Sequence, residues 1–543
     1  MSQIDMKQVI SLLEDIAKLL ELKGENPFKT RAYTNGARAL RSVNSSIQDL
    51  IESGELAKMK GFGSALVSKI TTYVETGELA YYNELRASFP DGLLDIMELN
   101  GVGPKKAKLF YDKLKVSNTE ELKKACEDGS IAELAGCGPK TAANILEAIE
   151  RKQTMAAFFL FPKAWSVAQQ VVESLRGVPE LQQIEVAGSL RRFKETTKDA
   201  DIIGAADDPA PVMDAFVKLP DIAKVLAKGE TKSSVIFENG VQVDLRLVKP
   251  EVFASALHHF TGSKDHNVAM RSRAIRMGMK VSEWGLFKTA GGVEELIPCQ
   301  SEEELFRHLG LPYIVPDLRE GMGEIEAAEK DALPKLVELK DYQGLLHCHT
   351  QASDGGNTLD ELVEKAQSLG YAYLGITDHS KSSFQANGLS AERLLDQVGA
   401  IRRKQQELGD ELRLFSGVEC DILTDGSLDY EDEVLDQLDF FVISVHNAFT
   451  RSKEEQTARM IKAIEHSGSR ILAHMTGRLL LKRDAYEIDI PKIIDACIVN
   501  KVAIELNCHP MRMDMDWRLW KHAAEKGALC SINCDAHSLR NFD

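Results

Sequence analysis

The chain has 543 residues and a formal net charge of −17, with 44% hydrophobic and 27% charged residues. Its length implies three or four domains at roughly 100–200 residues each, and its composition is that of a soluble globular protein. It has no uninterrupted apolar run of about 18 residues, which argues against a membrane span. The nine scattered cysteines include no C-x-x-C pair, which argues against a disulfide scaffold or zinc ribbon and for a reducing, cytoplasmic setting. The acid excess lies mainly in the last third, so bulk charge neither proves nor excludes a nucleic-acid partner. In chain order, residues 1–155 read as nearly all helix, and the opening MSQIDMKQVISLLEDIAKLL reads as an amphipathic helix, not a secretory signal. Residues 156–318 alternate helix and strand, with QIEVAGS, DADIIGAA, SSVIFE and VQVDLRLV as strands. The acid-rich, proline-containing stretch beyond residue 310 reads as a linker, placed at 319–338. From 339 to 543, segments such as GLLHCHT, YLGITDH, FFVISVH and VAIELN alternate with helical ones, which argues for a parallel α/β sheet or barrel.

Three segments of the helical region share one pattern: MKGFGSALVSKI, LNGVGPKKAKLF and LAGCGPKTAANI. Each sets a Gly-x-Gly (Gly61 and Gly63, Gly101 and Gly103, Gly136 and Gly138) before a helix start. Two glycines allow a tight turn with exposed backbone N–H groups, and the following helix N-terminus favours a phosphate. The pattern resembles the helix-hairpin-helix motif, which grips DNA backbone without reading sequence. A plain packing joint would explain one copy; three copies, two followed by Pro-Lys with Lys105 and Lys140, favour DNA.

GSLRRFKETTKDADII supplies Asp199 and Asp201 at i and i+2 on a strand, so both carboxylates face one side. VQVDLRLV adds Asp244 on another strand. Three clustered carboxylates suit a pair of Mg²⁺ or Mn²⁺ ions that clamp an in-line phosphoryl transfer. Gly188, Ser189 and Arg192 beside them offer backbone N–H, hydroxyl and guanidinium groups for a triphosphate.

Nine of the 13 histidines follow residue 340. His347, His349, His379, His446, His474 and His537, with Asp354, Glu419 and Asp535, fall almost without exception at the ends of strand-like segments. In α/β barrels those ends converge on one mouth. Nine N and O ligands there exceed the need of one ion and suit two or three Zn²⁺ or Mn²⁺ ions. Cys348 reads as packing, and His466, His509 and His522 as ordinary core or surface histidines.

The order of these features resembles the bacterial and archaeal family X DNA polymerases that end in a PHP (polymerase and histidinol phosphatase) domain. The resemblance implies a multidomain fold: an all-α helix-hairpin-helix domain at 1–155, an α/β nucleotidyltransferase palm with thumb at 156–318, and a distorted (β/α)7 PHP barrel at 339–543. HHFTGSKDHNVAMRSRAIRMG is similar to a further family motif. It implies that His259, Phe260 and Gly262 border the nucleotide sugar, that Asn267 touches the incoming base and that Arg271 meets the template. His259, Lys264 and Lys198 depart from the family pattern, which bears on sugar selectivity and fidelity. By the same resemblance Lys69 matches a lyase lysine, with Lys29 and Tyr33 near the 5′ phosphate; simple phosphate contact is the favoured role. The nine barrel positions match the PHP metal ligands. Relatives continue into a final helix beyond the position of Asp543, so the expectation is either a shortened sequence or a barrel that closes poorly. The implied activity is gap filling from deoxynucleoside triphosphates on gapped or primer-template DNA by a monomer. A 3′→5′ exonuclease and abasic-site endonuclease activity accompany it. Two alternatives are a PHP phosphoesterase with a DNA-targeting N-terminal module, and a non-catalytic DNA scaffold; the intact palm and filled ligand positions weigh against both.

Overall fold

The computed structural model describes residues 4, 6–41, 47–59, 61–99, 101–290, 293–466, 468 and 470–542, and its described residues from 6 to 156 are mostly helix, as their apolar spacing predicts. This region buries two cores. One joins Leu13, Ile16 and Leu20 to Leu40, Leu66 and Ile70, and the other joins Leu93, Phe110, Leu122 and Ile145. The three Gly-x-Gly segments are turns of one design. Gly61, Gly101 and Gly136 take φ of +94°, +83° and +79°, and Gly63, Gly103 and Gly138 cap the helices Ser64–Thr76, Pro104–Leu114 and Pro139–Ala156. A side chain at the first glycine of each pair would be strained at such φ.

The palm is a five-stranded sheet in the order Leu181–Val186, Asp199–Ala206, Gln242–Val248, Lys232–Phe237, Ile222–Lys228. Helices Phe161–Leu175 and Ala210–Phe216 cover one face through Val167, Val171, Met213 and Phe216. Helix Phe253–Thr261 covers the other through Phe253, Ala256 and Leu257, which pack on Ile203 and Ala205. Asp199 and Asp201 lie on that second face, before the helix reaches it. The thumb adds helix Lys264–Arg276, a three-stranded antiparallel sheet from Met279 to Ile297, and helix Glu302–His308.

The linker expected at 319–338 is a linker only in its last part. Arg319 is fully buried and paired with Glu302 at 2.5 Å, Glu324 meets His266 at 2.8 Å, and Ile325 and Ala328 enter the thumb core. Of the acids that make this stretch look solvated, Glu324 is buried against the His266 imidazole and Glu320 is half-buried against Arg192.

The last domain is a closed barrel of seven parallel strands among the described residues. They are Gly344–Leu345, Tyr373–Ile376, Arg413–Ser416 continued as Glu419–Asp421, Val442–Ser444, Ile471–Leu472, Ala503–Asn507 and Cys530–Asn533. Poor closure is not what the structure shows. Cys348 bridges to Ala536, the His349 N–H donates to the Ala536 carbonyl at 2.9 Å, and Phe542 is buried against Tyr371. Among the described residues no helix is long and apolar enough to cross a membrane. The barrel touches the palm through helix Trp517–Glu525: Trp517 Nε1 and Arg518 donate to the buried Glu195 at 3.0 and 3.1 Å, and Lys194 lies over the Trp517 ring.

Candidate active sites

In the palm, parallel pairing sets Asp201 directly opposite Asp244, with Asp199 two residues back on the same face. Burial first, then the charges of Asp199 and Asp244, push the Asp201 carboxyl up to about 6. Asp199 is raised by burial and by Asp244. Asp244 is instead lowered: burial opposes its ionisation, but Lys232 at 2.8 Å and Gln242 at 2.9 Å outweigh it. Three crowded carboxyls, two of them reluctant to ionise, form a donor set that added divalent charge would stabilise. Gly188 explains itself here. At φ +61° a Cβ would lie 2.3 Å from Asp201 Oδ2, so only glycine lets this backbone approach the carboxylates. Ser189 Oγ meets Thr197 Oγ1 at 2.7 Å.

Arg192 donates from Nε to Glu320 at 2.7 Å and from a terminal nitrogen to the Thr261 carbonyl. Arg191 ties the palm to the thumb through Glu302 and the Thr261 hydroxyl. Asn267 donates to the His259 carbonyl at 2.7 Å, and its Oδ1 is buried without a partner. His258, His259, Asn267 and Arg271 line one small cleft with Val281 and Ser282, and Arg246 lies over the Phe260 ring. Gly262 has φ +70°. At the hairpins the space beside all six glycines is open, and Lys105 and Lys140 are exposed. Lys69 lies over Tyr81 at 4.6 Å and Tyr33 at 5.9 Å, and Lys29 also faces Tyr81.

The barrel mouth gathers all nine expected side chains. Potential ligand atoms fall into three clusters: His349, Asp354, His379 and His537; His347, His349, Glu419 and Asp535; and His379, Glu419 and His446. His474 Nε2 completes the last, at 2.9 Å from Glu419 Oε1. Glu419 lies between clusters: its Oε1 faces His446 and His474, and its Oε2 faces His347, His349 and His379. His349 stacks between His379 and His537 with ring centres 4.4 and 4.2 Å away. His347 Nε2, His349 Nδ1, His379 Nδ1, His474 Nδ1 and Glu419 Oε2 are buried without hydrogen-bond partners. Orphaned imidazole nitrogens packed around shared carboxylates fit cations. Cys348 is buried in the core beneath, away from the clusters, as expected.

Sequence reasoning missed the groups that aim these ligands. Glu505, fully buried, accepts from His347 Nδ1 at 2.7 Å and from the His474 N–H at 2.8 Å, leaving His347 Nε2 for the mouth. Asp421 does the same for His446 Nδ1 at 2.6 Å, and the Asp535 carbonyl for His537 Nδ1 at 2.8 Å. Such carboxylate–histidine pairs fix the tautomer and the ring direction. The signal was an acid inside the mostly apolar strand AIELN, and an acid two residues beyond Glu419. His347 is raised well above the ordinary imidazole value: burial lowers it, but Glu505, Asp535 and Glu419 together outweigh that.

Comparison with known proteins gives matches along most of the chain. Residues 5–79 match a helix-hairpin-helix domain, 93–151 a SAM-like helix-hairpin-helix tandem, 256–320 the DNA polymerase beta thumb and 346–509 the PHP domain. The DNA polymerase/3′-5′ exonuclease PolX of Bacillus subtilis is 39% identical over 539 residues, 99% of this chain and 93% of its own. DNA polymerase lambda of Rattus norvegicus is 24% identical over 335 residues, 57% of this chain and 55% of its own. A probable phosphatase of Caldicellulosiruptor saccharolyticus is 29% identical over 165 residues, 30% of this chain and 64% of its own.

Proposed function

The chain belongs to the family X DNA polymerases that carry a PHP domain, enzymes that join DNA polymerase to 3′→5′ exonuclease, and we propose that it repairs DNA by filling short gaps and trimming 3′ ends in the cytoplasm. The observation that carries the reading is the Asp199–Asp201–Asp244 triad on two paired strands, beside a backbone that only Gly188 can form. Divalent ions, Mg²⁺ or Mn²⁺ in the palm and two or three Zn²⁺ or Mn²⁺ in the barrel, supply Lewis-acid stabilisation of phosphoryl oxygens when bound.

The protein's own groups do the rest. Asp199, Asp201 and Asp244 hold the palm ions. The Gly188 backbone, Ser189 and Arg192 bind the triphosphate, Arg192 exchanging Glu320 for it. His259, Phe260 and Gly262 border the sugar, Asn267 offers its free Oδ1 to the base, and Arg271 meets the template. In the barrel the nine clustered ligands hold the second metal set. We assign Lys69 and Lys29 to the 5′ phosphate, with Schiff-base chemistry at Lys69 and incision at abasic sites as further activities. On a duplex with a one-nucleotide gap, each deoxynucleoside triphosphate supplied singly should give one added nucleotide only when it pairs with the template. Equal addition of all four would contradict templated synthesis.

The hairpins touch phosphate only, so Lys105→Glu with Lys140→Glu should weaken binding alike on every sequence. The slope of log K against log salt should fall by roughly 2, at about 0.9 per lost phosphate contact on duplex DNA. Fluorescence anisotropy at several salt concentrations measures both; a sequence-dependent loss would contradict the hairpin reading.

Glu505→Gln keeps the size of the side chain but weakens its hold on His347. Metal affinity of the barrel should fall about 10–100-fold, the range for such outer partners, while primer extension stays unchanged. Competition with a chelator reads the first and a gapped primer the second.

A further inference from the structure

We propose that Phe384 stacks on the base of the 3′-terminal nucleotide and so presents a single-stranded DNA end to the barrel; the inference rests on the exonuclease reading above. Phe384 opens the short turn Phe384–Ala386 and is 85% exposed. Single exposed apolar side chains are common on protein surfaces; what sets Phe384 apart is its place, on a turn tied to the loops of the proposed metal centre.

The turn is fixed at both ends and lies against the proposed metal centre. It follows the strand Tyr373–Ile376 and His379 just beyond that strand's end, and the Leu389 N–H donates back to the His379 carbonyl at 2.8 Å. The Ser382 and Ser383 hydroxyls both donate to Asp421 Oδ2, at 2.6 and 2.8 Å. The Ser382 N–H donates to Asp429 at 2.6 Å. Ser383 Oγ reaches His446 Nδ1 at 3.5 Å, so the residue next to Phe384 touches a proposed metal ligand. On the far side Asn387 Nδ2 donates to the Ala352 and Ser353 carbonyls, in the loop that carries Asp354. The turn therefore sets Phe384 one residue from the proposed hydrolytic centre, between the loops that supply its ligands, with Lys381 and Arg393 also exposed.

Every base has a π-face, so an aromatic platform binds a strand end without reading its sequence. The phosphodiester next to the stacked base would then be the one presented to the metals. Stacking of this kind is lost on substitution by alanine at a cost worth about 5- to 150-fold in affinity.

Steady-state kinetics on a single-stranded oligonucleotide test this. Phe384→Ala should raise KM about tenfold with kcat little changed, and Phe384→Trp should restore KM. On a strand ending in a tetrahydrofuran residue, which lacks a base, wild type and Phe384→Ala should differ by less than about twofold. A second readout needs no turnover. In a His349→Ala background, 2-aminopurine at the 3′ end should be quenched on binding, and adding Phe384→Ala should remove the quenching. Equal KM for wild type and Phe384→Ala on the base-bearing strand would overturn the inference, as would an equal loss on both substrates, which marks a structural role. If wild type cuts neither strand, the exonuclease reading falls and this inference with it; if wild type cuts both and Phe384→Ala changes nothing, only the stacking falls.

Discussion

Replacing Asp244 by alanine should lower nucleotide addition by about 10³-fold or more, because several kcal/mol of transition-state charge stabilisation depend on the ions it helps hold. Removal of 3′ nucleotides should stay nearly intact. Asp244 is paired with Asp201 across two palm strands and is held by Lys232 and Gln242, none of which belongs to the barrel. The substitution also relieves repulsion on Asp199 and Asp201, since Asp244 raises both. Lys232 and Gln242 hold the Asp244 carboxyl below its usual value, so the substitution also gives up a contact that is stabilising near neutral pH, and a single cooperative melting transition close to that of wild type would separate chemistry from misfolding.

His349→Ala should do the reverse. His349 belongs to two of the three barrel clusters and stacks between His379 and His537. Its loss weakens two cation positions at once, so hydrolysis of 3′ ends should fall by about 10²–10³-fold, in line with removal of one key electrostatic group from a preorganised site. Elemental analysis after gel filtration should find less tightly bound Zn or Mn than in wild type, whereas Asp244→Ala should leave that content unchanged. Primer extension by His349→Ala should match wild type. Unaltered metal content together with lost hydrolysis would mean that His349 acts on substrate, not as a ligand.

The parts of this architecture that a sequence can display are those with short spacing. Asp-x-Asp puts two carboxylates on one face by strand geometry alone, and Gly-x-Gly before a helix can hardly be anything but a turn with open N–H groups. The His-rich strand ends announced a shared mouth because a parallel barrel brings such ends together. What stayed hidden depends on pairs distant in sequence. Glu505 serves His347 from 158 residues away, and Glu320 holds Arg192 from 128 residues away. That Ile325 and Ala328 join the thumb core was hidden for the same reason, since the acid beside them, Glu324, finds its partner His266 58 residues earlier. The strand Ile222–Lys228 gave no alternating pattern because it lies at the sheet edge with almost every residue exposed.

The central claim is that one chain holds two separate metal centres, one that builds DNA and one that degrades it. The most direct test follows a labelled primer on a one-nucleotide gap, with Mn²⁺ present, for wild type, Asp244→Ala and His349→Ala. With the complementary deoxynucleoside triphosphate, wild type and His349→Ala should lengthen the primer by one nucleotide, and Asp244→Ala should not. With the triphosphate withheld, wild type and Asp244→Ala should shorten the primer from its 3′ end, and His349→Ala should not. Loss of both reactions in folded Asp244→Ala would indicate one shared centre and contradict the claim.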